Sequence, residues 1–147
     1  MVNKILTKEQ AIQGHRNMWN WIAEQYENGR RCYLLKLKEE YCDKNNLNLR
    51  HCCFLCEYDF QIFEKDFLDD KTTEICDNCP LLWGTEQEVK ELNLNCFCIY
   101  GIYDELKRKV RYSIKNFEND ESNLTYGLNE CAKLARQIAN LEVKEDA

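Results

Sequence analysis

Two Cys-x-x-Cys pairs, Cys53-Phe54-Leu55-Cys56 and Cys76-Asp77-Asn78-Cys79, stand 19 residues apart in the middle of the chain. Each pair can grip one metal ion from a tight turn. Two pairs complete a tetrahedron of four thiolates, the closed coordination of structural Zn2+. The spacing is one that such sites use. The ion would fix a segment, about 51–84, that carries few signals of regular structure. Zinc contributes about 10–16 kcal/mol in small metallo-peptides. The aromatics between the pairs could gain only about 1.5–3 kcal/mol each by burial.

His51 and Cys52 sit beside the first pair and leave its register open. A Cys52/Cys56 pair has three intervening residues and is less usual, and His51 could replace one thiolate; the Cys53 register is preferred. A catalytic zinc would need three ligands, a free position and an acid or base beside it. Glu57 and Asp77 adjoin the ligands, but carboxylates are frequent in this chain. Cys96-x-Cys98 has no partner pair, and Cys32, Cys42 and Cys131 are dispersed, so these read as buried thiols.

The cysteines need a compartment. Residues 1–10 hold no apolar run, so no secretory leader is expected, and no window reaches the roughly 18 apolar residues of a membrane span. A cytoplasmic chain keeps its thiols reduced, which favours metal ligation over disulfides.

Hydrophobic residues make up 44% of the 147, enough for a core in one domain spanning 1–147. With 5 Gly and 1 Pro, breakers are scarce and helices are favoured. Thr7-Lys8-Glu9-Gln10 fits a capping box. Ala11, Ile12, His15, Met18, Trp19, Ile22, Ala23 and Tyr26 then recur at helical steps. The spacing predicts a helix from about Lys8 to Glu27, ended by Asn28-Gly29, with Trp21 off the stripe. Further helices are predicted at roughly Arg31–Asp43, Thr85–Leu92, Ile102–Phe117 and Leu124–Leu141, with loops at Asn45–Asn48 and Asn119–Asn123. Phe60, Ile62, Phe63, Phe67 and Leu68 alternate poorly and read as a short hairpin arm or a helical turn. The expected fold is mostly α, with some α+β character allowed: a helical domain carrying a central four-cysteine insertion of the zinc-knuckle or zinc-ribbon-like kind.

Charge is uneven. Residues 51–80 hold eight acids against two bases, a balance equal to the whole chain's −6. Asp59, Glu64, Asp66, Asp69 and Asp70 make this segment the acidic pole. It suits a basic protein surface, such as one that grips nucleic acid, better than a nucleic-acid backbone. The contrary signal is Lys107, Arg108, Arg111 and Lys115, which share one side of a helix and could meet phosphates. The solvated face of an amphipathic helix is the preferred explanation of them. A metal-dependent nuclease of the treble-clef type, with His51 beside the first pair, is the third reading; His15 and His51 are the two histidines and leave it short of partner ligands, and nothing pairs a cysteine with a histidine for nucleophilic catalysis. No enzymatic activity is expected. Exposed aromatics around Trp83 and Tyr103 would mark a self-association face, leaving a homo-oligomer open.

Four stretches carry a family resemblance: His15-Arg16-x-Met18-Trp19-x-Trp21-Ile22-Ala23, Cys53-x-x-Cys56-Glu57-Tyr58, Cys76-x-x-Cys79-Pro80-Leu81-x-Trp83-Gly84, and Leu134-Ala135-Arg136-Gln137-Ile138-Ala139-Asn140-Leu141. Together they resemble small cysteine-rich proteins of bacteriophages and prophages of low-GC Gram-positive bacteria. The resemblance supports the Cys53 register. It implies a protein working in the host cytoplasm and supplies context without a mechanism. Small acidic accessory proteins of phages often bind and inhibit host machinery, including defence nucleases such as CRISPR effectors. The implied function is a zinc-stabilised, anti-CRISPR-like inhibitor that binds a bacterial host protein.

Overall fold

The computed structural model describes residues 5–49, 52–68, 79–81, 101–117 and 119–143. Five helices make up the described fold: α1 (Lys8–Glu27), α2 (Leu34–Lys44), α3 (Phe54–Leu68), α4 (Ile102–Asn116) and α5 (Glu121–Ala139). Among the described residues the only β pairing is one antiparallel bridge, Leu81 to Val143. The helix predicted at Thr85–Leu92 lies outside the described residues.

α1 has the predicted bounds. The Gln10 N–H donates to Thr7 Oγ1 at 3.1 Å, and the Thr7 N–H donates to Gln10 Oε1 at 3.0 Å, closing the capping box. At the other end Gly29 takes φ +82°, and the N–H groups of Gly29 and Arg30 donate to the carbonyls of Tyr26 and Gln25. This left-handed ending satisfies carbonyls that the helix would leave open. α2 ends the same way. Asn46 takes φ +52°, and the N–H groups of Asn46 and Leu47 donate to Asp43 and Cys42. Asparagine tolerates this conformation better than most side chains do.

The α1 stripe of Ala11, His15, Met18, Trp19, Ile22, Ala23 and Tyr26 is buried. It packs mainly along α5, and also touches α3 and α2; α4 packs against α5. Gly14 lets the Phe54 ring approach α1, since a Cβ there would lie 2.4 Å from it. Gly127 does the same for Ser113 of α4, whose Oγ would lie 2.4 Å from an added Cβ. Trp21 leaves the stripe and packs on Tyr41, ring centroids 5.4 Å apart, with the Lys44 ammonium over its face. Buried residues of all five helices and of the segment 79–81 belong to one hydrophobic cluster.

Three elements differ from expectation, and α2 is the first, beginning at Leu34 rather than near Arg31. α5 begins within the predicted Asn119–Asn123 loop, because Asp120 caps it by accepting from the Asn123 N–H at 3.2 Å. The segment after Cys53 is a 15-residue helix, not a hairpin arm. It holds no glycine or proline. Phe54, Leu55, Phe60, Ile62 and Phe63 spread around its circumference, so no single stripe betrays the helical period.

Candidate metal centre

The start of α3 positions the first cysteine pair. The Cys53 carbonyl accepts the first intrahelical bond, from the Glu57 N–H at 3.0 Å, so Cys53 occupies the capping position. Its sulfur takes the role usually filled by a serine or aspartate oxygen: the Cys56 N–H donates to Cys53 Sγ at 3.4 Å. The Cys56 thiol hydrogen-bonds the same sulfur. These bonds, with the nearby Lys38 ammonium, hold the Cys53 thiol well below the ordinary thiol range, against the upward push of burial. Sulfur facing backbone N–H groups at a helix start is the environment that a metal-bound thiolate needs.

Lys38 comes from α2 and is only 5% exposed. Its Nζ lies 3.4 Å from the Tyr103 hydroxyl, 5.1 Å from the centre of the Tyr103 ring and 5.9 Å from that of Trp19. Trp19 and Tyr103 meet edge to face at 5.8 Å. Burial pulls the Lys38 ammonium down, but the negative charge available at Cys53, Tyr103 and Cys56 outweighs it and the net shift is upward. A buried ammonium thus stands beside the cysteine pair. Leu34, Leu37, Lys38, Tyr41 and Cys42 follow the helical period, so Lys38 occupies a position where an apolar residue is expected. That break in the pattern was the available signal for it.

Cys79 is buried in the same hydrophobic cluster as Cys53, flanked by buried Pro80 and Leu81. The bridge from Leu81 to Val143 ties this short segment to the chain after α5. Cys76 and the alternative ligand His51 lie outside the described residues. Among the described residues no three His, Cys, Asp or Glu side chains come close enough to enclose a metal ion. The structure therefore brings Cys53 and Cys56 together and buries Cys79. Cys53 and Cys56 offer two soft sulfurs, one of them held low by N–H and S–H donors, with a buried cation beside them.

The other candidates fall elsewhere. Asp59 is only 2% exposed, so it is not part of the expected acidic surface, because α3 turns it inward with Glu57. Glu57 accepts from Gln61 Nε2 at 3.3 Å, and Gln61 Oε1 accepts from the Leu6 N–H at 3.0 Å. Glu64 is exposed on α3; the Asp66 side chain and Asp69 and Asp70 lie outside the described residues. His15 is fully buried, and its Nε2–H donates to the Ile138 carbonyl at 2.7 Å. Burial lowers its pKa to about 4, which keeps the ring neutral and committed to the helix pair. Tyr103 faces inward onto Trp19, so it does not mark a self-association face; Trp83 lies outside the described residues. Lys107, Arg108, Arg111 and Lys115 are all exposed on the outer side of α4, with Arg108 paired to Asp104. Cys131 is buried, and burial raises its thiol to about 11. Cys96 and Cys98 lie outside the described residues.

No helix of the described residues is long and apolar enough to cross a membrane. No known protein family, curated protein or solved structure matches this chain.

Proposed function

We propose that this chain is a non-enzymatic, zinc-stabilised phage accessory protein that binds a bacterial host protein and inhibits it, in the manner of an anti-defence inhibitor. The observation that carries the metal reading is the start of α3, where Cys53 caps the helix, accepts the Cys56 N–H and lies beside buried Lys38. Cys53, Cys56, Cys76 and Cys79 would hold the ion, and the closed set would leave it structural. Four thiolates on Zn2+ would add about −2 to a segment already at −6. Such a pole fits a basic groove that normally holds nucleic acid. The resemblance to cysteine-rich phage proteins supplies the biological setting.

Metal analysis by mass spectrometry tests the first half. About one zinc per chain, lost in Cys53→Ser and in Cys76→Ser, is expected; a folded chain without zinc would overturn it. The second half is tested by capture from host lysate. A specific bacterial protein should be recovered, and its binding should weaken when Glu64, Asp66, Asp69 and Asp70 are changed to their amides. Asp59 is left out of that set because it is buried. Binding indifferent to all four changes would remove the acidic segment from the interface.

The exposed row Lys107, Arg108, Arg111 and Lys115 favours a second reading, a zinc-containing nucleic-acid-binding regulator. Four phosphate contacts would give a log–log salt slope of roughly −3 to −4. No binding at low salt would eliminate it.

A further inference from the structure

The side of the α4–α5 pair turned away from α1 carries two aromatic rings that the core does not use. Tyr112 of α4 is 59% exposed and Tyr126 of α5 is 68% exposed. Their placement side by side follows from the packing. The two helices are joined through residues 117–120 and run antiparallel, as so short a link requires. At their seam Ser113 meets Gly127, where an added Cβ would lie 2.4 Å from the serine hydroxyl. Tyr112 and Tyr126 each stand one residue before a seam residue. One residue is about 100° of helical turn, and in antiparallel helices that step leads to the same side of the pair. The buried stripe of α5, with Leu128, Ala135 and Ile138, takes the side toward α1. Both tyrosines therefore stand on the opposite, outer side. Tyr112 is exposed and yet held: its ring meets the half-buried Phe117 ring edge to face, centroids 5.5 Å apart, and Asn116 Nδ2–H donates to the Tyr112 carbonyl at 3.0 Å. Such a contact occupies at most one face of the tyrosine. Cations surround the rings. Arg108, Arg111 and Lys115 are exposed within one turn of Tyr112, and Lys133 is exposed two turns beyond Tyr126. Arg108 pairs with Asp104 and Lys133 with Glu130, while Arg111 and Lys115 make no ion pair among the described residues. The chain's excess of acids is concentrated in residues 51–80, whose described helix, α3, packs on α1.

We propose that this side of the α4–α5 pair binds single-stranded nucleic acid, with Tyr112 and Tyr126 stacking on two bases and Arg111 and Lys115 meeting phosphates. The inference rests on the reading of the α4 row as a phosphate-binding face, and adds the class of nucleic acid. A duplex stacks its bases on one another and offers the rings none. A single strand exposes them, and every base has a flat face that an aromatic ring can cover. Neighbouring helices lie about 8–10 Å apart, so one flexible strand can reach both rings. An acidic protein surface would satisfy the cations and leave the rings without flat partners.

The test uses the full chain and fluorescence anisotropy at low salt, with labelled oligothymidine (DNA), oligouridine (RNA) and a mixed-sequence duplex, each about 12 nucleotides long. A single strand should bind about tenfold or more tighter than the duplex, and the tighter of the two single strands names the sugar. Tyr112→Ala and Tyr126→Ala should each weaken single-strand binding by about fivefold to a hundredfold and leave duplex binding unchanged. Tyr112→Phe keeps the ring and should keep the affinity. Arg111→Ala and Lys115→Ala should weaken single strand and duplex alike, each lowering the single-strand salt slope by about 0.7. Equal binding of single strand and duplex, indifferent to both tyrosine changes, would overturn the proposal and leave the phosphate reading standing. No binding by any oligonucleotide would overturn both and leave this side of the molecule to an acidic protein. Photo-crosslinking of an iodouracil oligonucleotide to the wild-type chain reads the contact without any variant: adducts on Tyr112 or Tyr126 are expected, and adducts confined to other residues would count against it.

Discussion

The α1–α5 pair and the corner where α2 meets α3 solve the same problem by different means. Along α1 and α5 nearly everything inward is apolar: Met18, Trp19, Ile22, Leu128, Ala132, Ala135 and Ile138. The polar exception, His15, is neutral and bonded to the facing helix. At about 1.5–3 kcal/mol for each large side chain removed from water, this half gains its stability from burial. The corner instead buries Lys38, Glu57 and Asp59. Charges withdrawn from water cost several kcal/mol each unless they are compensated. The first half is self-sufficient hydrophobic packing. The second offsets its charges with polar neighbours, Tyr103 for Lys38 and Gln61 for Glu57.

The sharpest way to break this contrast is to remove the proposed metal ligands. Cys53→Ser or Cys56→Ser should lose zinc and destabilise the fold by about 4–5 kcal/mol or more. Native-state hydrogen exchange should show protection lost in α3 while α1 and α5 keep theirs. Uniform loss across all helices would show that the two regions are one cooperative unit.

A smaller effect belongs to His15. Its folded-state pKa, about 4, lies below the ordinary value of 6.5, so the unfolded chain binds the proton first. The stabilisation is complete above pH 6.5 and is lost as pH falls toward 4, by roughly 3 kcal/mol in all. Subtracting the pH–stability curve of His15→Gln from that of the wild type should isolate this slope. A flat difference would mean that the ring is not held neutral.

Within the apolar half, Gly127→Ala sets a Cβ against Ser113 and should cost about 1–3 kcal/mol with zinc content unchanged. Adding Ser113→Gly should recover part of the loss, measured by denaturant titration. The least effect is expected from Thr7→Ala, which opens the capping box of α1 for about 1 kcal/mol. It too should leave the metal in place.

The same division decides what could be read from the sequence. α1 was legible to the residue, because Thr7, Gln10 and Asn28-Gly29 announce both ends and the stripe between them is clean. α4 was legible for the same reason, its stripe of Leu106 and Val110 opposing a charged face. α3 was not. Its apolar residues surround the helix, and its cap is a cysteine, which no capping rule signals. Lys38 hid in plain view at a core position of α2, since its burial depends on Cys53, Cys56 and Tyr103 arriving from elsewhere in the chain. Asp59 was misplaced at the surface because an acid near a helix start gives no sign of which way it faces. The two Cys-x-x-Cys pairs were legible as a motif, and the structure adds the capping geometry of the first.

The bond from His15 to Ile138 spans 123 positions of sequence, and its consequence is temporal. A ribosome releases α1 long before α5 exists, so Trp19 and Ile22 wait uncovered through most of synthesis. A chain whose first helix is completed by its last cannot finish folding piecemeal as it emerges. The cysteine corner closes over much shorter separations. α1 finds its lasting cover only when translation of α5 is done.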